Sequence, residues 1–266
     1  MNILKRISRL MIRTGWRHAG TRYLSLFLPA HIPKASLGYA GLETHIGSYP
    51  QFRLGKPVKN EPHTVAWIER MRAGEVFYDI GASVGPFSLI AGKRGVRVYA
   101  FEPTASSFAF LLDNIQLNDL LGAICPLQAA LHDRTGFFPF SYRSFAAGET
   151  LHGGLDGEEK GRGAHSRATH PLYAWRLDDL RREATLPFPD HLKIDIDGHE
   201  LSALQGGQET LAHCKTAQVE VRANTESEVK QLFATLGFRV SAEIPRVKRG
   251  KAARGAPLVK DIQFSR

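Results

Sequence analysis

The chain of 266 residues is 43% hydrophobic, which suits one large α/β domain with appendages and excludes a mostly disordered protein. It has no run of about eighteen apolar residues, and its cysteines, Cys125 and Cys214, lack metal-ligand spacing. A transmembrane helix and a disulfide scaffold are therefore excluded, and a cytoplasmic location is expected. The net charge of +9 favours anionic partners, whether nucleic acid, acidic lipid or acidic glycan.

Residues 1–60 are predicted to form a basic extension and lead-in, and residues 61–266 the domain itself. Residues 1–28 contain basic but no acidic side chains, and apolar residues recur at helical spacing from Ile3 to Met11. This basic amphipathic helix could lie on an anionic membrane, giving peripheral membrane contact, or it could cap the domain or a dimer partner. Short strands are expected in residues 34–60.

A glycine turn between two apolar strands follows a helix predicted over Pro62–Arg72. Val76–Ile80 is the first strand, and Gly81 and Gly85 form the turn. A helix over residues 87–93 and a second strand over residues 96–101 complete the pattern. This order of strand, turn, helix and strand is a βαβ unit, whose ligand site lies at the carboxyl ends of the strands.

The residues of this unit indicate a nucleoside with a cationic head group. Glu102, at the end of the second strand, is placed to accept hydrogen bonds from ribose hydroxyls. An acid before the turn disfavours a pyrophosphate, and the turn lacks the close glycines of NAD-dependent dehydrogenases. We therefore predict S-adenosylmethionine as the cofactor, bound by Asp79, Gly81, Ser83, Gly85 and Glu102. The alternative is a turn whose glycines only pack the helix on the strand.

The middle of the chain combines regular elements with a polar insertion. A helix over Ala105–Leu117, a third strand over Ile124–Leu131 and an added strand over Phe137–Tyr142 are predicted. Residues 143–170 are rich in glycine, histidine and charge and have little to bury. We expect them to form a mobile loop or a lid over an acceptor site. The chain returns to the domain through Trp175–Leu180.

A strand that carries three charges marks a second site. In residues 192–197, apolar residues alternate with Lys193, Asp195 and Asp197, although a central parallel strand should be apolar on both faces. One interpretation is catalytic: Lys193 fixes Asp195 as an ion pair, and Asp195 or His199 takes a proton from an acceptor hydroxyl. The structural alternative is a buried ion pair with helix-capping acids.

A divalent cation is a further interpretation of the same segment. Asp195, Asp197 and Glu200 offer the oxygen ligands that a hard cation prefers, and a bound cation would lower the pKa of an acceptor hydroxyl. The residue types leave the choice between acid–base and metal chemistry open.

The end of the chain closes the sheet. A helix continues from His199 to about Leu211, and the next strand, Ala217–Arg222, carries Glu220, which should lie beside Asp195 if the two strands are neighbours. A helix over residues 226–236 and strands over residues 238–244 and 258–264 follow. The basic loop between these strands, which begins with Arg246, is predicted to be a solvated hairpin tip, with phosphate or glycan binding as the alternative.

Together these motifs resemble the FkbM family of S-adenosylmethionine-dependent methyltransferases. The matching segments follow one another in the family's order across roughly residues 62–240. They are residues 77–85 (Phe-Tyr-Asp-Ile-Gly-Ala-Ser-Val-Gly), 100–103 (Ala-Phe-Glu-Pro), 177–180 (Leu-Asp-Asp-Leu), 192–200 (Leu-Lys-Ile-Asp-Ile-Asp-Gly-His-Glu) and 219–221 (Val-Glu-Val).

The resemblance implies a class I Rossmann-like fold, with a mostly parallel seven-stranded sheet and helices on both faces. It also implies methylation of an oxygen on a sugar or polyketide product. In class I methyltransferases the loop after the third strand commonly contacts adenine, which implies a supporting role for His132 and Asp133; an ordinary polar turn is the alternative. The family usually has Asn where Ser83 stands and Glu where Asp197 stands.

We therefore expect an S-adenosylmethionine-dependent O-methyltransferase acting on a hydroxyl of a sugar, glycan, glycolipid or related natural product. Asp195 would be the acceptor-side group, supported by Lys193, His199, Glu200 and Glu220. A nucleic-acid methyltransferase is a rival suggested by the charge, although the Asn-Pro-Pro-Tyr motif of amino methylation is absent. A non-catalytic glycan- or membrane-associated module is the other rival.

Overall fold

The computed structural model describes residues 34–45, 57–142, 168–246 and 259–266. The strands are β1 Lys34–Ser36, β2 Glu43–His45, β3 Val76–Ile80, β4 Arg97–Phe101, β5 Ile124–Leu127, β6 Ala130–Leu131, β7 Gly136–Tyr142, β8 Ala168–Trp175, β9 His191–Ile194, β10 Thr216–Arg222, β11 Arg239–Pro245 and β12 Val259–Ser265. The helices are α1 Pro57–Asn60, α2 Pro62–Ile68, α3 Pro86–Lys93, α4 Ala105–Leu117, α5 Leu177–Glu183, α6 Glu200–Gln205, α7 Gln208–Leu211 and α8 Glu226–Thr235.

A seven-stranded sheet forms the centre of the domain, in the order β11-β12-β10-β9-β3-β4-β5. Neighbouring strands from β10 to β5 are parallel, and β12 runs antiparallel to both of its neighbours. The mostly parallel sheet is what βαβ connections produce, because each crossover helix returns the chain to the same edge. The predicted class I methyltransferase fold is confirmed.

Apolar cores lie on both faces of the sheet. All five residues of β3 are buried, as expected for a central strand. Phe77 packs with residues of α2, α3 and α4 on one face, whereas Tyr78 and Ile80 pack with residues of α5, α6 and α8 on the other. The short β1–β2 hairpin contributes Leu37 and Leu42 to the first of these cores. The short strands expected in residues 34–60 are confirmed within residues 34–45.

The register of the parallel strands aligns four functional positions at one edge. Ile80 pairs with Phe101 on one side and with Ile194 on the other, and Ile194 pairs with Val219. The next residue on each strand begins the carboxyl edge of the sheet. These four residues are Gly81, Glu102, Asp195 and Glu220, which the sequence analysis had assigned to two sites.

The prediction of one strand over Ile124–Leu131 is wrong. The chain leaves the edge of the large sheet after Leu127, and Ala130–Leu131 pairs instead with β8 in a three-stranded sheet of order β6-β8-β7. The predicted loop over residues 143–170 is wrong for its last three residues. They belong to β8, where His170 pairs with Phe140 and extends the antiparallel ladder.

The single helix predicted from His199 to Leu211 is also wrong, because it breaks at Gly206 and Gly207 into α6 and α7. A Cβ on Gly206 would overlap the carbonyl oxygen of His132, so this close backbone approach needs glycine. Asp178 then caps α7 by accepting hydrogen bonds from the N–H groups of Glu209 at 3.1 Å and Thr210 at 2.8 Å.

Three predicted segments lie outside the described residues: the basic helix of residues 1–28, residues 143–167 of the insertion and residues 247–258, which hold most of the predicted basic loop. Within the described ranges, no helix combines the length and apolar character that crossing a bilayer requires.

Candidate active site

One cavity connects the two sites that the sequence analysis distinguished. At one end it is lined by the glycine turn and Glu102, and at the other by the charged segment after β9. The lining residues are Glu61, Ile80, Gly81, Ala82, Ser83, Pro86, Phe87, Phe101, Glu102, Pro103, Thr104, Ala129, Ala130, Leu131, Phe140, Lys193, Asp195, Ile196, Asp197 and His199.

Glu102 anchors the glycine turn to the end of β4. Ser83, which adopts a left-handed φ of 53°, donates its N–H to Glu102 Oε2 at 2.9 Å. The N–H of Thr104 donates to Oε1 at 2.9 Å, and the Thr104 hydroxyl donates to the same oxygen. Burial raises the pKa of Glu102, and these hydrogen bonds oppose the rise. Since a carboxylate has about four lone-pair positions, Glu102 can still accept hydrogen bonds from a ligand in the cavity.

Neither Asp79 nor Gly85 lines the cavity, and Asp79 is buried behind the glycine turn. Asp79 Oδ2 accepts a hydrogen bond from the Ser88 hydroxyl at 2.6 Å, whereas Asp79 Oδ1 has no hydrogen-bond partner among the described residues. Burial raises the pKa of Asp79, and the nearby Lys193 opposes this. A buried acceptor with an unused oxygen fits a cationic group close to the turn.

His132 and Asp133 lie beyond the cavity wall, which β6 provides on that side through Ala130 and Leu131. The His132 ring is buried, and its Nδ1 lies 2.7 Å from Asp133 Oδ1. The structure therefore places this pair next to the cavity lining rather than in it.

The Lys193–Asp195 ion pair predicted from the sequence is confirmed, with Nζ 3.4 Å from Oδ2. Burial alone would lower the pKa of Lys193, but Asp195 and Asp79 hold it above its ordinary value. Burial alone would raise the pKa of Asp195, but Lys193 and Arg246 hold it well below its ordinary range. Asp195 is therefore a fixed anion near neutral pH.

Arg246 is the residue that the sequence analysis misplaced. The expected solvated position is wrong, because its guanidinium enters a cluster of acids contributed by four segments. Nη2 lies 2.9 Å from Asp195 Oδ2 and 3.2 Å from Glu61 Oε2, Nε lies 2.8 Å from Asp261 Oδ2, and Nη1 pairs with Glu220. Arg246 thus joins the closing hairpin to the charged end of the cavity.

Glu220 lies beside the Asp195 group, as predicted, but it contacts Arg246 and is absent from the cavity lining. Burial and the neighbouring Asp195 raise the pKa of Glu220 to about 9. Glu61, which the sequence analysis missed, does line the cavity. Its only sequence signal was its place just before the predicted helix that precedes β3.

The predicted ligand set Asp195, Asp197 and Glu200 is not brought together as a metal site. Glu200 Oε1 accepts hydrogen bonds from the N–H groups of Ile196 at 3.0 Å and Gly198 at 2.9 Å, so it holds the loop after β9. Burial raises the pKa of Glu200 to about 7. His199 lines the cavity.

Within the described residues, the group with metal-ligand spacing is instead Glu61, His63 and Asp261. Arg246 donates to both acids of that group. The cluster therefore already contains a cation, and the structure gives no support to a divalent ion.

The family model for the methyltransferase FkbM domain matches residues 79–240, which contain the glycine turn, Glu102 and the Lys193–Glu200 segment. The chain belongs to the FkbM family of methyltransferases. In this FkbM methyltransferase some motif residues line the cavity and others hold the surrounding backbone in place. Asp178 and Glu200 hold backbone, since both accept hydrogen bonds from backbone N–H groups.

Similar proteins extend this comparison. The hexuronic acid methyltransferase AglP of Haloferax volcanii is 25% identical over 94% of this FkbM-family chain and 95% of its own length. The methyltransferase sdnD of Sordaria araneosa is 28% identical over 53% of this chain and 64% of its own. The structure of M. jannaschii TYW2 in complex with AdoMet aligns with a TM-score of 0.45 at 15% identity, covering 85% of this chain and 83% of that one.

Proposed function

We propose that the protein transfers a methyl group from S-adenosylmethionine to a hydroxyl oxygen of a sugar or a sugar-containing molecule. The observation that carries this proposal is the single cavity, which runs from the carboxylate of Glu102 to the Lys193–Asp195 pair. One end offers hydrogen-bond acceptors for a nucleoside, and the other offers charged groups for an acceptor.

The cofactor end fits S-adenosylmethionine on three points. Glu102 faces the glycine turn with spare acceptor capacity, and the wall at Phe101 and Leu131 is apolar enough for a purine. Asp79 does not reach the cavity, but its unused oxygen behind the turn favours a cationic group nearby. S-adenosylmethionine, when bound, supplies an electrophilic methyl group on its sulfonium. Glu102 would hold the ribose, and the turn around Gly81 would hold the amino-acid portion.

At the other end, the chain's contribution is to position the acceptor and to receive its proton. Lys193 and Arg246 fix the carboxylate of Asp195, so that it offers a stationary acceptor for a hydroxyl. His199 and Asp197 line the same end, while Glu200 and Glu220 support it from outside the cavity. Holding the hydroxyl in line with the electrophile supplies most of the rate enhancement in such a transfer.

The acceptor class is suggested by AglP, whose name specifies a hexuronic acid and whose length this chain matches almost throughout. That name does not state which oxygen is methylated. The charged end of the cavity supports a hydroxyl, because a hydroxyl needs help to lose its proton whereas a carboxylate carries none at neutral pH.

The cofactor end can be tested with Glu102→Gln. The amide has one acceptor oxygen instead of two and turns an N–H₂ group toward existing donors, so affinity for S-adenosylhomocysteine should fall by about 10- to 100-fold. Titration calorimetry measures this, with the exposed Glu228→Gln as the matched control. Equal affinity in the two variants would place the nucleoside elsewhere.

The acceptor end can be tested by incubating the protein with methyl-labelled S-adenosylmethionine and three probes: 4-nitrophenyl β-D-glucuronide, 4-nitrophenyl β-D-glucoside and a tRNA transcript. We expect label in a glycoside, resistant to mild alkali as an ether is and an ester is not. Removal of metals with EDTA should leave the rate unchanged, because Arg246 already occupies the acid cluster.

Other results have definite meanings. Label only in the transcript, with binding that weakens steeply as salt rises, would replace the proposal with a nucleic-acid methyltransferase. A folded protein that binds no S-adenosylhomocysteine would indicate a non-catalytic module. A methyl-transfer rate that falls when EDTA is added would indicate that a metal ion takes part in the reaction.

A further inference from the structure

Glu61 has the position of a catalytic group, although it lies outside the matched residues 79–240. It precedes α2 and lines the same cavity as Lys193 and Asp195, with 20% of its side chain exposed. Its Oε2 accepts hydrogen bonds from Arg246 Nη2 at 3.2 Å and from the Thr64 hydroxyl at 3.4 Å. Its Oε1 makes no hydrogen bond within the described part of the chain.

Glu61 and Asp195 share one cationic nitrogen but differ in their other direct contacts. Both carboxylates accept from Arg246 Nη2, so each disfavours ionisation of the other. Asp195 has Lys193 as a second cation at 3.4 Å, whereas the further side-chain hydrogen bond of Glu61 within the described residues comes from the neutral Thr64 hydroxyl. The two carboxylates are therefore suited to different roles: Asp195 to remain ionised, and Glu61 to exchange a proton.

The pKa shifts of Glu61 and Asp195 have opposite directions, as these two roles require. Burial raises the pKa of Glu61, only partly opposed by Arg246, and the charge of Asp195 raises it further. The pKa of Asp195 is held far below the ordinary value, which makes that carboxylate a weak base. A general base works best when its pKa lies near the working pH.

We propose that Glu61 is the general base that removes the proton from the acceptor hydroxyl, with Asp195 as the fixed anion that orients this hydroxyl. The inference rests on the proposed function. In the step, the acceptor O–H bond breaks and its proton passes to the Glu61 carboxylate. The oxygen forms a bond to the methyl carbon, the C–S bond breaks with its electron pair remaining on sulfur, and the sulfonium becomes a neutral thioether.

The titratable groups that face Glu61 come from several elements, and the charged ones among them affect its protonation. Cations lower its affinity for a proton and acids raise it. They are Lys193 in β9, Asp195 after β9, Arg246 after β11, Asp261 in β12 and His63 in α2.

The first test measures the proton on Glu61 directly, without any acceptor. Infrared difference spectra between the wild type and Glu61→Gln should contain a protonated-carboxyl band that persists above the pH range in which an ordinary glutamate ionises, and that shrinks as the pH rises further. The exposed Glu183→Gln, at the end of α5, serves as the control and should give no such band. Spectra of wild type and Glu61→Gln that coincide above pH 5 would overturn the proposal.

The second test uses whichever glycoside probe the wild type methylates. The rate constant kcat should rise with pH as Glu61 loses its proton and then level off. Glu61→Gln should lower kcat by about 10²- to 10⁴-fold and abolish that rise, while S-adenosylhomocysteine affinity stays at the wild-type value. Glu61→Asp should recover part of the rate, because it restores a carboxylate.

The outcomes separate this inference from the function beneath it. A wild type that neither binds S-adenosylhomocysteine nor methylates any probe defeats the proposed function, whatever the spectra contain. A wild type that turns over normally, with Glu61→Gln retaining its kcat and pH profile, defeats only the role of Glu61.

Discussion

Replacing Gly81 with alanine is expected to destabilise the protein by about 2–5 kcal/mol. Gly81 has a φ of +82°, where an L-residue costs about 1–2 kcal/mol. A Cβ there would overlap the carbonyl oxygen of Asp195 and lie 3.0 Å from Ile196 Cγ2. Overpacking of this kind adds about 1–3 kcal/mol, and the obstacle is backbone that cannot rotate away. Urea unfolding measures the change as a lower midpoint at constant slope.

Gly237→Ala is the control that separates the two costs. Gly237 has nearly the same φ, +83°, but a Cβ built there meets nothing within 4 Å. Gly237→Ala should therefore lose only the stability that a positive φ costs an L-residue, about 1–2 kcal/mol. If both variants lose the same free energy of unfolding, the close approach of the glycine turn to the end of β9 makes no contribution to stability. The excess in Gly81→Ala is the part that should also disturb binding of S-adenosylhomocysteine, because Gly81 lines the cavity.

The large sheet could be predicted because its strands carry strong local signals. Val76–Ile80 is apolar except for Asp79, and residues 217–222 alternate apolar with polar side chains, while the helix over Ala105–Leu117 has a regular apolar stripe. The closing strands were placed within one residue of β11 and β12. Once the strands are parallel and adjacent, the residues that follow them must meet at one edge, which is why Glu102 and Asp195 were correctly placed in the fold.

What the sequence did not reveal depends on contacts between distant segments. The break between α6 and α7 arises where His132 approaches Gly206, and no periodicity records that approach. Ala130–Leu131 reads as the end of the preceding strand, yet it pairs with β8, more than forty residues later in the chain. Local pattern cannot choose between a continued strand and a new partner.

The acid cluster had a signal that the sequence analysis used only in part. Glu220 was noticed, but Asp261 lies in the last predicted strand and pairs directly with Glu220 across β10 and β12. Two acids opposite each other in buried strands require a cation. Arg246, at the end of the strand that pairs with β12, is the cation that the fold supplies. Glu61 carried no comparable signal, since a lone acid before a helix is usually a cap.

Arg246→Met should cost about 3 kcal/mol of stability, near the lower end of the range for breaking a buried ion pair, because the side chain is 24% exposed. The change leaves Asp195, Glu220 and Asp261 without their shared guanidinium. Methionine fills much of the volume, so the loss reports charge more than packing. The stability of Arg246→Lys should lie between those of the wild type and Arg246→Met, since one ammonium cannot reach four carboxylates at once. Urea unfolding at pH 7 compares them with Arg239→Met, an exposed change at the start of β11.

The cost of Arg246→Met should depend on pH in a definite direction. In the wild type, Arg246 helps to hold the folded pKa of Asp195 below its unfolded value, and this stabilisation is present above about pH 4 and lost in stronger acid. In the variant, buried carboxyls without this cation bind protons more tightly when folded, so their protonation stabilises the fold as the pH falls. The difference between variant and wild type should therefore be largest at pH 8 and smaller at pH 5. A difference that is independent of pH, or no larger than that of Arg239→Met, would mean that Arg246 lies on the surface and does not organise the acids of the cavity.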